Sequence, residues 1–257
     1  HLILSNRYVG EIIMRKRIAL AAVAIVVTVS PTLVAQPPSA EELLARAIDY
    51  HDANDVWRQG IWRLTLGETR PDGTVRRTVL MIDNPAGRFD YSTQDGGDRI
   101  EGSLSDDDCS FRLNGSGTFT EEEQERHRLT CERLERMRNY YTYLWGLPMK
   151  LRDPGTRLDA AVGSDTFGGS RVTVLRVSYE ESVGRDTWYF YLDPSSYALV
   201  GYRFFHDESA NDGEYIILDQ EVETEGLRIP RVRAWYTNAD QRYLGTDTLE
   251  SLERLDD

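Results

Sequence analysis

The sequence predicts an α+β fold: a strongly curved antiparallel sheet, an incomplete barrel of about eleven strands, with helices packed in its concave face. Three observations predict it. Strand-like segments follow one another across turn residues, with no βαβ alternation. Only two segments carry helix-start chemistry. Several strands are aromatic on both faces, as where Trp188 and Phe190 point one way and Tyr189 and Tyr191 the other. Both faces then need cover, and two helical segments cover eleven strands only if the sheet curls around them, which leaves a concave pocket.

Each element has a local reason. Ser39-Ala40-Glu41-Glu42 is a capping box, and Leu43, Leu44, Ala47 and Ile48 follow at helical spacing, so a helix is expected over 39–51. Alternation of Trp62, Leu64 and Leu66 with Arg63 and Thr65 predicts a strand over 57–69. Pro71-Asp72-Gly73 turns the chain into a strand over 75–82, and Asn84-Pro85-Ala86-Gly87 turns it again. Three short strands are expected at 88–93, 98–105 and 109–113. A second capping box, Thr120-Glu121-Glu122-Glu123, opens a helical stretch to about 145, with Leu134, Met137, Tyr141 and Leu144 on one face. Thr130 can cap a second helix within it, and Gly146-Leu147-Pro148 ends it. Residues 146–170 read as loop. Six strands complete the meander, at about 171–179, 186–193, 197–206, 214–222, 227–237 and 241–253.

Composition bounds the function. Acidic residues number 43 against 30 basic, a formal charge of −13, which argues against a nucleic-acid partner because phosphate needs a basic surface. Met14 followed by Arg15-Lys16-Arg17, an apolar run over 18–29 and a small residue at Ala35 read as a signal peptide over 14–35. Residues 1–13 read as an over-extended reading frame. The mature protein is then one domain, 36–257, periplasmic or secreted, and not an integral membrane protein. Without residues 1–35 the chain keeps 26 basic and 42 acidic residues, a surface that repels anionic headgroups. In an exported chain the two cysteines, Cys109 and Cys131, are expected to form one disulfide worth about 3 kcal/mol.

Long motifs point to a family. Thr130-Cys131-Glu132-Arg133, the run Tyr140-Tyr141-Thr142-Tyr143-Leu144-Trp145-Gly146-Leu147-Pro148-Met149-Lys150-Leu151, and Asp153-Pro154-Gly155-Thr156 resemble an uncharacterised family of exported bacterial proteins, a domain of unknown function. Asp186-Thr187-Trp188-Tyr189-Phe190-Tyr191-Leu192-Asp193-Pro194 and Asn211-Asp212-Gly213-Glu214-Tyr215 resemble it too. More distantly, a strand ending in Asp193-Pro194 and followed by another over 198–205 is similar to the Lol-type periplasmic lipoprotein carriers. That resemblance implies an incomplete barrel with helices in its mouth and an acyl-chain pocket between them. It is a resemblance of fold and assigns no function by itself.

Chemistry-bearing constellations are few. His51-Asp52 and His206-Asp207 would make a metal site only if they met in space, and His127 sits among arginines, where it is expected to be solvated. Gly102-Ser103-Leu104-Ser105 and Gly163-Ser164-Asp165 lack the frame of a nucleophile elbow. Asn114-Gly115-Ser116-Gly117 has no following lysine and reads as a turn, as does the acidic run Asp106-Asp107-Asp108. Neither a metal nor a cofactor is expected. The aromatic set remains: Trp62, Tyr141, Trp145, Trp188, Phe190, Phe205 and Trp235 are the candidate lining of an apolar ligand pocket, the alternative for each being simple core packing. The leading expectation is an exported protein that binds a lipid, acyl chain or lipidated partner without catalysis. A periplasmic hydrolase and a non-catalytic envelope interaction module are the alternatives.

Overall fold

The structure, a computed structural model, describes residues 38–256, so the expected signal peptide over 14–35 and the extension over 1–13 lie outside the described residues. Helix α1 (Ala40–Asp52) starts on the capping box, with Ser39 and Glu42 bonding each other's backbone N–H, and buries Leu43, Leu44, Ala47 and Ile48. The next turn departs from expectation. Val56–Gln59 is a short helix, α2, because Asp52 accepts from the backbone N–H of Val56 and Trp57 and fixes the chain in a turn. The strand β1 (Ile61–Thr69) therefore begins four residues later than the alternation implied.

A meander follows: β2 (Val75–Asp83), β3 (Arg88–Asp95), β4 (Asp98–Leu104) and β5 (Cys109–Leu113). The second helical stretch is two helices, α3 (Glu121–His127) and α4 (Cys131–Trp145), capped by Thr120 and Thr130. Gly146 ends α4. The remaining strands are β6 (Thr156–Leu158), β7 (Gly163–Phe167), β8 (Ser170–Tyr179), β9 (Thr187–Leu192), β10 (Leu199–Phe205), β11 (Glu214–Thr224), β12 (Leu227–Thr237) and β13 (Tyr243–Leu255). The described strands number thirteen, against about eleven expected. The two extra ones, β6 and β7, fall in the segment that reads as loop. One has three residues and the other is exposed along most of its length, so neither shows an apolar alternation.

All thirteen form one antiparallel sheet. The order is β5-β4-β3-β2-β1-β13-β12-β11-β10-β9-β8-β6, with β7 on β8. Sequence neighbours pair except around β6, which pairs with β8, and at β1–β13, where the first strand meets the last, with Glu68 opposite Asp247. The sheet stays open, with helices on its inner face. The helix α4 enters from the β5 side: Leu134 lies over Gly102, where a Cβ would come within 2.9 Å of its side chain. Further along, Tyr141 stacks on Phe89 and Tyr140 on Trp235. One continuous apolar core joins α1, α4 and the inner sheet face.

The Cys109–Cys131 bridge is present and ties the edge strand β5 to the first residue of α4. Reduction should lower unfolding free energy by about 3 kcal/mol, because the open chain has more unfolded-state entropy to lose. Chemical denaturation with and without reductant measures this, and an unchanged midpoint would show that the bridge constrains nothing.

Candidate binding cavity between helix 4 and the sheet

The inner face is layered by depth, and strand register sets the layers. In the deepest row Tyr202 of β10 lies opposite Phe190 of β9, and both are fully buried. Two residues outward along each strand, Phe204 lies opposite Trp188, with the rings stacked at 4.8 Å. One step further out, past the strand ends, His206 and Asp186 form a rim pair, Nδ1 to Oδ1 2.7 Å. The middle row borders open space. A cavity of about 810 Å³ lies between α4 and this part of the sheet, walled by Tyr91, Tyr140, Tyr141, Tyr143, Trp188, Phe204 and Trp235. A second, about 640 Å³, lies beside it and shares Tyr140, Tyr143, Asp186 and Trp188. Tyr140, 46% exposed, stands between them on α4.

The floor is polar. A row of charges crosses four strands in register: Arg76 on β2, Glu68 on β1, Asp247 on β13 and Arg233 on β12. Glu68 accepts from both Arg76 nitrogens, Nε at 2.7 Å and Nη2 at 3.1 Å, and from the hydroxyls of Thr78 and Tyr141. Such a bidentate, fully occupied carboxylate is a fixed part of the wall. Asp247 accepts from Trp235 Nε1 at 2.9 Å, and burial with the neighbouring Glu68 charge pushes its carboxyl up to about 6. Arg233 is buried beneath α4. It donates to the carbonyls of Pro230 and Leu144, lies 3.4 Å over the Trp145 ring, and is held below the usual arginine range by burial.

Three of the seven aromatic residues singled out in the sequence, Tyr141, Trp188 and Trp235, line the larger cavity. The other four lie elsewhere. Trp62 is buried against Trp57 and donates to its carbonyl. Trp145 packs under Arg233, and Phe190 belongs to the row below the cavity. Phe205 is half-buried and meets Tyr189 edge-on, on the sheet face opposite Tyr202. Tyr91, Tyr140, Tyr143 and Phe204 were the aromatic residues missed. The parity of Trp188 already placed its cross-strand partner in the same wall, but that partner is Phe204 only in the observed register.

The histidines do not meet in a metal site, and no cluster of three ligand-type side chains exists among the described residues. His51 is buried and bridges α1 to the sheet: Nδ1 lies 2.6 Å from the Arg228 carbonyl and Nε2 accepts from Leu199 N–H at 2.9 Å. His127, expected in solvent, is instead only 9% exposed in its side chain and, at the end of α3, sits 3.2 Å from Asp98 at the start of β4.

Residues 19–251 match the family of unknown function DUF6503. The chain belongs to that family. Among curated proteins no sequence match was found. One solved structure shares the architecture of this DUF6503 member, and two others are more weakly similar. A LolA superfamily protein from Nitrosomonas europaea superposes with TM-score 0.51 at 10% identity, over 86% of this chain and 95% of that one. A putative outer membrane lipoprotein-sorting protein domain from Vibrio parahaemolyticus gives 0.43 at 12% identity, covering 84% and 90%. A DUF1329 family protein from Desulfovibrio piger gives 0.46 at 8%, covering 84% and 92%. The first superposition shows that this chain has a LolA-like fold, and at this identity it speaks for fold alone.

Proposed function

We propose that this protein is an exported, non-catalytic binding protein for an amphiphile: a lipid, an acyl chain or a lipidated partner held between α4 and the sheet. The cavity carries the reading. Its volume suits a lipid-sized ligand, seven aromatic side chains give it an apolar wall, and polar groups lie along one side where a head group would sit. The LolA-like fold is consistent with it, since in this chain that fold leaves a groove between α4 and the sheet. Export to the periplasm or beyond, as one half-barrel domain over 36–257, is supported by the disulfide, which persists in oxidising compartments. No helix among the described residues is long and apolar enough to cross a membrane.

Native mass spectrometry of protein purified from its own cells tests the reading. The expected result is a population carrying a lipid or acylated mass that organic extraction removes. Apo mass only, from several envelope preparations, would contradict it.

One observation favours a second reading, a hydrolase. His206 and Asp186 form a hydrogen-bonded pair at the cavity rim. The Asp186 hydrogen bond raises the His206 pKa. Hydrolysis of short-chain nitrophenyl esters that disappears in His206→Ala would favour this second reading.

A further inference from the structure

One end of the cavity gathers arginines from four parts of the chain. Arg70 follows β1, Arg76 lies on β2, Arg128 precedes α4, and Arg133 and Arg136 lie on its first turns. Such a concentration is unexpected in a chain of net charge −13. Arg76 is taken up by Glu68. Arg133 gives one nitrogen to the His127 carbonyl. Among the described residues no ion pair includes Arg128, Arg133 or Arg136, although Glu132 stands one helical turn from Arg136.

The carboxylates that share the cavity are already engaged or disfavoured as anions. Glu68 has four donors, Asp186 holds His206, Asp247 accepts from Trp235, and burial raises both Asp247 and Glu214. The arginine end is thus left in excess positive charge beside an aromatic wall. Guanidinium groups match the paired oxygens of a phosphate or carboxylate better than any other side chain.

We propose that Arg128, Arg133 and Arg136 bind the anionic head group, phosphate or carboxylate, of an amphiphile whose chain lies along Tyr140, Trp188 and Trp235. This inference rests on the amphiphile-binding reading above and adds the class of ligand. It also fits the charge distribution, since a chain of net charge −13 gathers these arginines at the cavity.

The test compares ligands of one chain length, below their micellar concentrations: myristate, myristoyl phosphate, neutral monomyristoylglycerol and tetradecyltrimethylammonium. Affinities are read calorimetrically for the full protein and for the Arg128→Gln/Arg136→Gln double variant, whose folding is checked by thermal melting. The anionic ligands should bind about tenfold more tightly than the neutral one, a preference that added salt weakens. The double variant should lose that preference while keeping its affinity for monomyristoylglycerol. Arg133→Gln should act in the same direction.

Equal binding of anionic, neutral and cationic ligands would overturn the head-group site and leave the amphiphile reading standing. So would a preference that survives the double substitution. Failure of all four ligands would overturn both. Inorganic phosphate separates the sources of the anion: weak competition against myristoyl phosphate fits a head-group site, whereas equal competition would mean a free-anion site and contradict the proposal.

Discussion

Phe190→Ala costs about 3–5 kcal/mol of stability and spares ligand binding in whatever fraction stays folded, while Trp188→Ala does the reverse. The two residues share one face of one strand and differ by one row in depth. Phe190 is 0% exposed and packs against Tyr202 and Leu175, so its removal leaves a closed void. Trp188 is half-buried and borders both cavities, so its removal enlarges space that is already open. Its expected cost is roughly 2 kcal/mol, with acyl-probe affinity falling about tenfold. Denaturation midpoints and a fluorescent acyl-chain titration on both variants measure the contrast. If Trp188→Ala were as damaging to stability as Phe190→Ala and bound the probe normally, Trp188 would be core and the cavity would not be the site.

The second large effect is at His51. Its two ring nitrogens satisfy a buried carbonyl and a buried N–H, and burial lowers its pKa to about 4. His51→Ala leaves both backbone groups unpaired, at about 3–5 kcal/mol near pH 8. The sign of the pH dependence follows from the lowered value. The unfolded chain takes up a proton on His51 near pH 6.5 and the folded one does so only near 4. The stability contributed by neutral His51 is therefore complete above about 6.5 and is lost as pH falls toward 4, by about 3 kcal/mol.

Asp247 works in the opposite direction. Its raised pKa, about 6, favours the folded state increasingly as pH falls through that value, so the wild-type curve alone understates the His51 effect. The difference between wild type and His51→Ala removes Asp247, which both proteins keep. That gap should narrow between about pH 7 and pH 4. A gap constant with pH would show that His51 is not held neutral.

Much of this fold was legible where the chemistry is local. Ser39, Thr120 and Thr130 announce helix starts because their side chains bond N–H groups three residues on, and all three do so. Trp188 and Phe190 could be placed on one face because strand parity is fixed. The cavity floor was not legible. Arg76, Glu68, Asp247 and Arg233 form one row only through cross-strand register, and the pairing of β1 with β13 joins residues almost the whole chain apart. Depth was equally hidden: nothing in the sequence says that the row at Phe190 is sealed and the row at Trp188 open. His127 shows the same limit, since flanking arginines suggest solvent while the end of α3 brings its ring against Asp98 of β4.

Contact between an acyl chain and the cavity tryptophans is the most direct test of the central claim. The chain has five tryptophans, of which Trp188 and Trp235 line the cavity and Trp57, Trp62 and Trp145 are buried in the core. A fatty acid brominated along its chain quenches indole fluorescence only at contact. Wild-type protein should show saturable quenching of part of its emission, and a Trp188→Phe/Trp235→Phe variant, still folded, should show none. Absence of quenching in the wild type, or full quenching that persists in the double variant, would contradict the account.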